Sequence, residues 1–157
     1  METIVIRPAT GNDLKIIAGI FHDAVQRVAI QNYTEEQVQA WSPCERPVEH
    51  WAKRTADLQL KLAEIINVPA GFIGYSHTGY IDLLFSRPEF LRRGVARSLL
   101  QDAERDLKIR HVTIAHANVS LTARPFFEAM GYACLRTQLV SCGAVELQNF
   151  GMEKKLI

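Results

Sequence analysis

Residues 90–108 read FLRRGVARSLLQDAERDLK. Arg92 and Arg93 run into Gly94, then Val95, Ala96, Arg97 and Ser98 follow, and an apolar helical pattern starts at once. The first turn of a helix leaves backbone N–H groups without partners, and the helix dipole makes that end partly positive. Gly94 lets the backbone approach a bulky anion, and Ala96 has almost no side chain to intrude. The arginines add charge and Ser98 adds a hydroxyl. This combination suits the seating of a phosphate or diphosphate. The competing reading is a solvated basic loop ahead of a helix, and spacing alone leaves both open. A single glycine excludes a dinucleotide fingerprint, and the lack of Gly-Lys-Ser/Thr excludes a P-loop.

Asp82 is the second group whose setting suggests chemistry, as the one carboxylate in the apolar run YIDLLF. Strand alternation puts Tyr80, Asp82 and Leu84 on one face and Ile81, Leu83 and Phe85 on the other. Partial burial would raise the pKa of Asp82 and suit it to accept a proton. Its alternative is a structural carboxylate paired with a basic neighbour. His77 either faces an acceptor or is an exposed hairpin histidine. His116 and Asn118 share a strand face and are candidates for substrate contact or proton relay. His22 lies in the first helix.

Elements must hold these groups in place. TIVIRPAT alternates as an opening strand, and Leu14, Ile17, Ile20, Phe21, Ala24 and Val28 recur at helical spacing after it. YTEEQVQAW reads as a short helix capped by Thr34 with Gln37 three residues on, and VEHWAKRTADLQ as a further helical piece. Three β-like runs follow (LKLAEIINV, PAGFIGYSHTG and YIDLLFS), with Pro69-Ala70-Gly71 and His77-Thr78-Gly79 as their expected hairpin loops. Then come the helix from Gly94 to about Ile109, the strand HVTIAHA, a helix in LTARPFFEAMG stopped by Gly131, and a closing hairpin around Gly143. The order predicts an α/β (α+β) domain: a mixed, mostly antiparallel sheet with a central β-α-β step. No linker divides it, so residues 1–157 read as one domain.

The 157 residues are 48% hydrophobic and 22% charged, with a net charge of +1. No overall field draws the chain to nucleic acid or membrane, so any anion site is local. Cys44, Cys134 and Cys142 are odd in number and form no C-x-x-C pair, which argues against disulfides or a metal site and for a reducing cytoplasm. Neither a signal-peptide pattern nor an apolar run of membrane-spanning length is expected.

Residues 81–104, IDLLFSRPEFLRRGVARSLLQDAE, resemble the central motif of the GNAT superfamily of acyl-CoA-dependent N-acyltransferases. That motif is a strand, a Pro-acidic-aromatic turn (here Pro88-Glu89-Phe90), then Gln/Arg-x-x-Gly-x-Gly/Ala opening a helix. Residues 120–132, SLTARPFFEAMGY, are similar to the later family segment Asn-x-x-Ala-x-x-Phe/Leu-Tyr-Glu-x-x-Gly-Phe/Tyr. The two occur in the family's order, and NYTEEQVQAW resembles a bacterial subgroup largely of unassigned substrate.

The resemblance implies acetyl-CoA as co-substrate, an amine acceptor and no metal. It assigns the diphosphate to main-chain N–H groups of Arg92, Arg93, Gly94, Val95, Ala96 and Arg97, with Ser98 near. It assigns the pantetheine arm to the main chain at Leu84, Phe85 and Ser86, on a strand splayed from its neighbour, which puts the candidate proton acceptor Asp82 at the mouth of the split. Tyr33 and Trp41, with Trp51, fall where the family builds its acceptor pocket, and His77, His116 and Asn118 become substrate-side candidates. The family often pairs subunits through C-terminal strands, and VELQNFGMEKKL could serve that way in a homodimer here. Three positions depart from the pattern. Leu91 replaces Gln or Arg, and Ser120 replaces Asn. Phe127 replaces a tyrosine that often protonates the departing thiolate, and phenylalanine has no proton to give. Another group or water then supplies it, or the thiolate leaves unaided. The rival reading is a non-catalytic acyl-CoA-binding module.

Overall fold

The computed structural model describes residues 2–157. The opening alternation forms β1 (Ile4–Pro8), and α1 (Leu14–Arg27) follows a single tight turn. The Asp13 carboxylate accepts the Thr10 N–H at 2.8 Å and two Arg7 guanidinium N–H groups at 2.9 Å each. Arg7 also donates to Glu64 at 3.2 Å, so one cation ties β1, the start of α1 and the next strand together. Helix α2 (Glu35–Trp41) is capped as expected: the Gln37 N–H donates to Thr34 Oγ1, and the Thr34 N–H donates to Gln37 Oε1. Helix α3 (Val48–Arg54) completes the N-terminal helical region.

The remaining elements are β2 (Gln59–Ile65), β3 (Val68–Tyr75), β4 (Tyr80–Ser86), α4 (Val95–Ile109), β5 (Ile114–Ser120), α5 (Arg124–Ala129), β6 (Ala133–Cys142) and β7 (Val145–Lys155). The seven strands form one sheet in the order β1-β2-β3-β4-β5-β7-β6, antiparallel throughout except between β4 and β5. This is the mixed, mostly antiparallel class with its β-α-β step in the middle. Helices α4 and α5 cover one face through Val95, Leu99, Leu100, Leu107 and Phe127. Helices α1 and α3 cover the other through Ile17, Ile20 and Trp51 against Leu62, Phe72 and Leu83. Tyr33 and Val38 pack with Leu147 over the far part of the sheet.

Two expectations are corrected. Pro69-Ala70-Gly71 is not a hairpin loop: it lies inside β3, and the chain reverses at Ile66 and Asn67, both at positive φ (50° and 61°). Pro69 is tolerated because it faces the register shift after Ala63, where the ladder is already broken. Segment VELQNFGMEKKL offers no edge to a partner, because β7 is paired on both sides and β6 is the free edge.

Gly79 closes the turn before β4 at φ 105°, and its carbonyl accepts the His116 N–H at 2.9 Å. A Cβ there would lie 2.4 Å from the Ile114 carbonyl oxygen. Gly143, at φ 58°, has open space around it. Gly79→Ala is therefore expected to cost about 3 kcal/mol or more, and Gly143→Ala about 1 kcal/mol; urea midpoints of the two variants check this difference.

The Asp13 carboxyl sits at about 2, held down first by the Arg7 hydrogen bonds against the opposing effect of burial. A carboxyl depressed on folding stabilises the fold above its unfolded pKa, and the contribution is lost as pH falls through the folded value. Roughly 2 kcal/mol should disappear between about pH 4 and pH 2, and Asp13→Asn should remove that part of the acid-unfolding profile.

Candidate active site

β4 and β5 lie side by side for two residue pairs only, Tyr80 with His116 and Ile81 with Ala117. Beyond them the strands part, leaving residues 82–86 and 118–120 without main-chain partners across the gap. β4 remains paired to β3 and β5 to β7, so the opening is a wedge in a continuous sheet. β4 also carries a bulge: Gly74 pairs with Leu83 and Tyr75 with Ile81, and Asp82 is passed over. The extra residue breaks the expected alternation. Ile81 packs with the α4 core, whereas Leu83 joins the α1–α3 core and Asp82 reaches Arg54 of α3.

A cleft of about 1170 Å³ runs through this wedge, from the start of α4 to a wall made by α1 and α3. Gly94 caps α4 in the left-handed conformation (φ 85°), and the first ladder bond runs from the Ser98 N–H to the Gly94 carbonyl at 2.9 Å. The amides of Gly94, Val95, Ala96 and Arg97 consequently have no intrahelical partner. No acidic side chain occupies the first turn. Gly71 lets this turn sit close to the sheet, since a Cβ there would fall 2.7 Å from Val95 Cγ1 and 2.8 Å from the Phe85 carbonyl oxygen. Free N–H groups, two lining arginines (Arg92 and Arg97) and a bare strand edge give a donor set fitted to a long ligand with an anionic end.

The wedge brings together most of the sequence-designated residues. Leu84, Phe85, Ser86, Arg92, Gly94, Val95, Ala96, Arg97, Ser120 and Phe127 line it, as do Asp82, Trp41, Trp51 and Asn118. Ser120 Oγ accepts the Ala123 N–H at 3.1 Å and so shapes the entry to α5. Phe127 packs edge-on against Phe126 and Tyr132, at 5.5 and 5.1 Å between centroids. Asn118 donates to Tyr80 Oη at 3.2 Å and accepts from Gln138 at 2.8 Å.

Other designated residues lie elsewhere. Arg93 turns outward, paired with Glu2 and stacked over the Phe90 ring at 4.8 Å, and Ser98 is outside the lining. His77 is exposed in the β3–β4 turn, and His116 rests on Tyr80 at 5.2 Å without entering the cleft. Tyr33 is buried in the core beneath the cleft wall, where its hydroxyl donates to the Gln148 carbonyl at 2.6 Å and accepts the Leu121 N–H at 2.9 Å. It is a tie between β7 and the β5–α5 connection. His22 binds Ser42 Oγ at 2.6 Å.

Three ionisable lining residues escaped the sequence reading: Arg46, His50 and Arg54. Their spacing of four was the available signal, since it stacks side chains along one side of α3 and its approach. Arg54 grips Asp82 with two bonds, 2.6 and 2.9 Å long. A carboxylate has about four lone-pair sites, so two remain on Asp82.

Residues 29–156 match the family model described as acetyltransferase (GNAT) domain. The chain is 35% identical over 155 residues to the uncharacterized N-acetyltransferase YafP of Escherichia coli (strain K12), covering 99% of this chain and 98% of that protein. A crystal structure described as a GCN5-related N-acetyltransferase (aminotransferase, class-II) from Rhodopseudomonas palustris superposes with TM-score 0.93 at 28% identity, over 99% of this chain and 97% of that one. The PaiA N-acetyltransferase of Thermoplasma acidophilum, solved with coenzyme A, shares the fold with TM-score 0.76 at 20% identity, over 98% and 99% of the two chains.

Tyr33→Phe is expected to deprive the partly buried Gln148 carbonyl and Leu121 N–H of this partner at a cost of about 2 kcal/mol. Denaturant titration should show that loss, while KM for any acceptor should stay within about twofold, as befits a residue outside the cleft.

Proposed function

The chain belongs to the GNAT acetyltransferases and is an acetyl-CoA-dependent N-acetyltransferase, and on that premise we propose that its acceptor is a primary amine entering from the α1–α3 side. Acetyl-CoA supplies an acyl group activated as a thioester. The observation that carries the reading is the pairing of a bare strand edge with free amides at the start of α4, in one cleft. The amides of Gly94, Val95, Ala96 and Arg97 hold the diphosphate, with Arg92 and Arg97 beside them. The unpaired main chain at Leu84, Phe85 and Ser86 orients the pantetheine arm and donates toward the acyl oxygen.

The amine nitrogen attacks the acyl carbon, the new C–N bond replaces the C–S bond, and the electron pair leaves on sulfur. The nitrogen sheds one proton and the thiolate gains one. Asp82 receives the first, using the lone pairs that Arg54 leaves open. The two Arg54 hydrogen bonds fix the orientation of this carboxylate toward the cleft. Phe127 excludes the family's usual phenol from the second transfer, and water in the open cleft serves instead. The N-terminal helices and the sheet act as one domain, and the unpaired cysteines fit a cytoplasmic setting. The free β6 edge, with Leu135 and Leu139 exposed, supports homodimer pairing there instead of through β7.

An assay of acetyl-CoA consumption against an amine panel tests the reading directly. Asp82→Asn is expected to lower kcat roughly 10²-fold while the affinity for coenzyme A stays within about twofold. A protein that binds coenzyme A but turns over no amine would instead be a passive acyl-CoA-binding module.

A further inference from the structure

The cleft beyond the strand gap, away from α4, carries an imbalance of charge. Its ionisable lining is Arg46, His50, Arg54 and Asp82, contributed by the α2–α3 connection, α3 and the bulge of β4. Arg54 and Asp82 satisfy each other through two hydrogen bonds. Arg46 is partly buried, and it has no hydrogen-bonding or ion-pair partner among the described residues. The imidazole of His50 is held below its ordinary value, first by burial and then by the charges of Arg46 and Arg54. Positive potential at this end is thus not cancelled. The indole N–H of Trp51, in the same wall, is also buried without an acceptor.

A partly buried guanidinium facing an apolar cleft favours a bidentate oxyanion over water or a second cation. The diphosphate does not answer this demand. The free amides of α4 lie on the opposite face of the sheet from α1 and α3, and Arg92 and Arg97 accompany them there. Arg46 lies on the acceptor side: the neighbouring Glu45 reaches α1 at Gly19, and Trp51 of α3 packs between Phe21 and Phe72. The bulge turns Asp82 onto this same side. One anion and one surplus cation thus face a common space.

We infer that the acceptor is a small amine that also bears an oxyanion, a carboxylate or a phosphonate, with Asp82 receiving the amine and Arg46 the anionic group. This rests on the acetyl-transfer reading above and narrows its substrate class. A polycationic acceptor, such as an aminosugar with several ammonium groups, meets the surplus charge of Arg46 with like charge and is disfavoured.

The test compares matched acceptors on the wild-type enzyme. Each α-amino acid is paired with its carboxamide and its decarboxylated amine, and 2-aminoethylphosphonate with ethylamine. The expected result is a kcat/KM at least about tenfold higher for the acid or phosphonate member of the best pair. Arg46→Gln should collapse that ratio, Arg46→Lys should restore part of it, and thermal melting of each variant controls for folding. The carboxylate and phosphonate pairs show which oxyanion the site takes. Turnover of neutral amines with no preference for the anionic partner, or a ratio that survives Arg46→Gln, overturns this inference alone. Absence of turnover with every amine, with coenzyme A still bound, overturns the amine-acceptor reading and this inference with it.

Discussion

Buried main-chain N–H and C=O groups must find partners, and the centre of this sheet withholds them. β4 and β5 hold together for two residue pairs and then separate, although both are interior strands. An unpaired strand edge inside a domain is costly unless another group completes it. Two glycines and the position of α4 shape the space between them. Gly79 anchors the closed end through its bond from His116, and Gly71 lets α4 settle against the sheet so that its first turn faces the opening. A parallel pair joined by a helix is what places that turn at the carboxyl end of β4, where free amides and bare edge meet.

The bulge at Asp82 links the two halves of the cleft. Regular alternation would direct Asp82 and Leu83 to opposite faces. The inserted residue instead sends Leu83 into the α1–α3 core and brings Asp82 to Arg54. The α4 end of the cleft depends mainly on backbone geometry, and so on glycines and on helix position. The α1–α3 end depends on side chains from the short helical region between α1 and β2. The Phe127 ring packs against Tyr132 and lines the cleft wall, and it brings no ionisable proton there.

Much of this was legible in the residues. Periodicity and caps marked the helices, Thr34 with Gln37 and Gly94 most plainly, because those signals are local. The run of free amides at the start of α4 was legible for the same reason, being one continuous stretch. Long-range geometry was not. The Ile66–Asn67 turn places a β-branched residue at positive φ, which propensity argues against, and the Pro-Ala-Gly run that looked like a turn sits at a register break. The Asp82 bulge is set by pairing with β3 and leaves no mark in YIDLLF. Tyr33 was read as a pocket aromatic because burial of its hydroxyl against Gln148 and Leu121 depends on residues about 90 and 115 positions away. Arg46, His50 and Arg54 did carry a spacing signal, but it gains meaning only once Asp82 is seen opposite them.

The central claim is that free amides at the start of α4 and the bare edge of β4 complete their hydrogen bonds with one ligand. A crystal structure with acetyl-CoA bound measures this most directly. The account expects the diphosphate on the amides of Gly94 to Arg97 and the pantetheine amides bonded to the main chain between Asp82 and Ser86. Density elsewhere, with that turn empty or its amides directed away from the ligand, would contradict it.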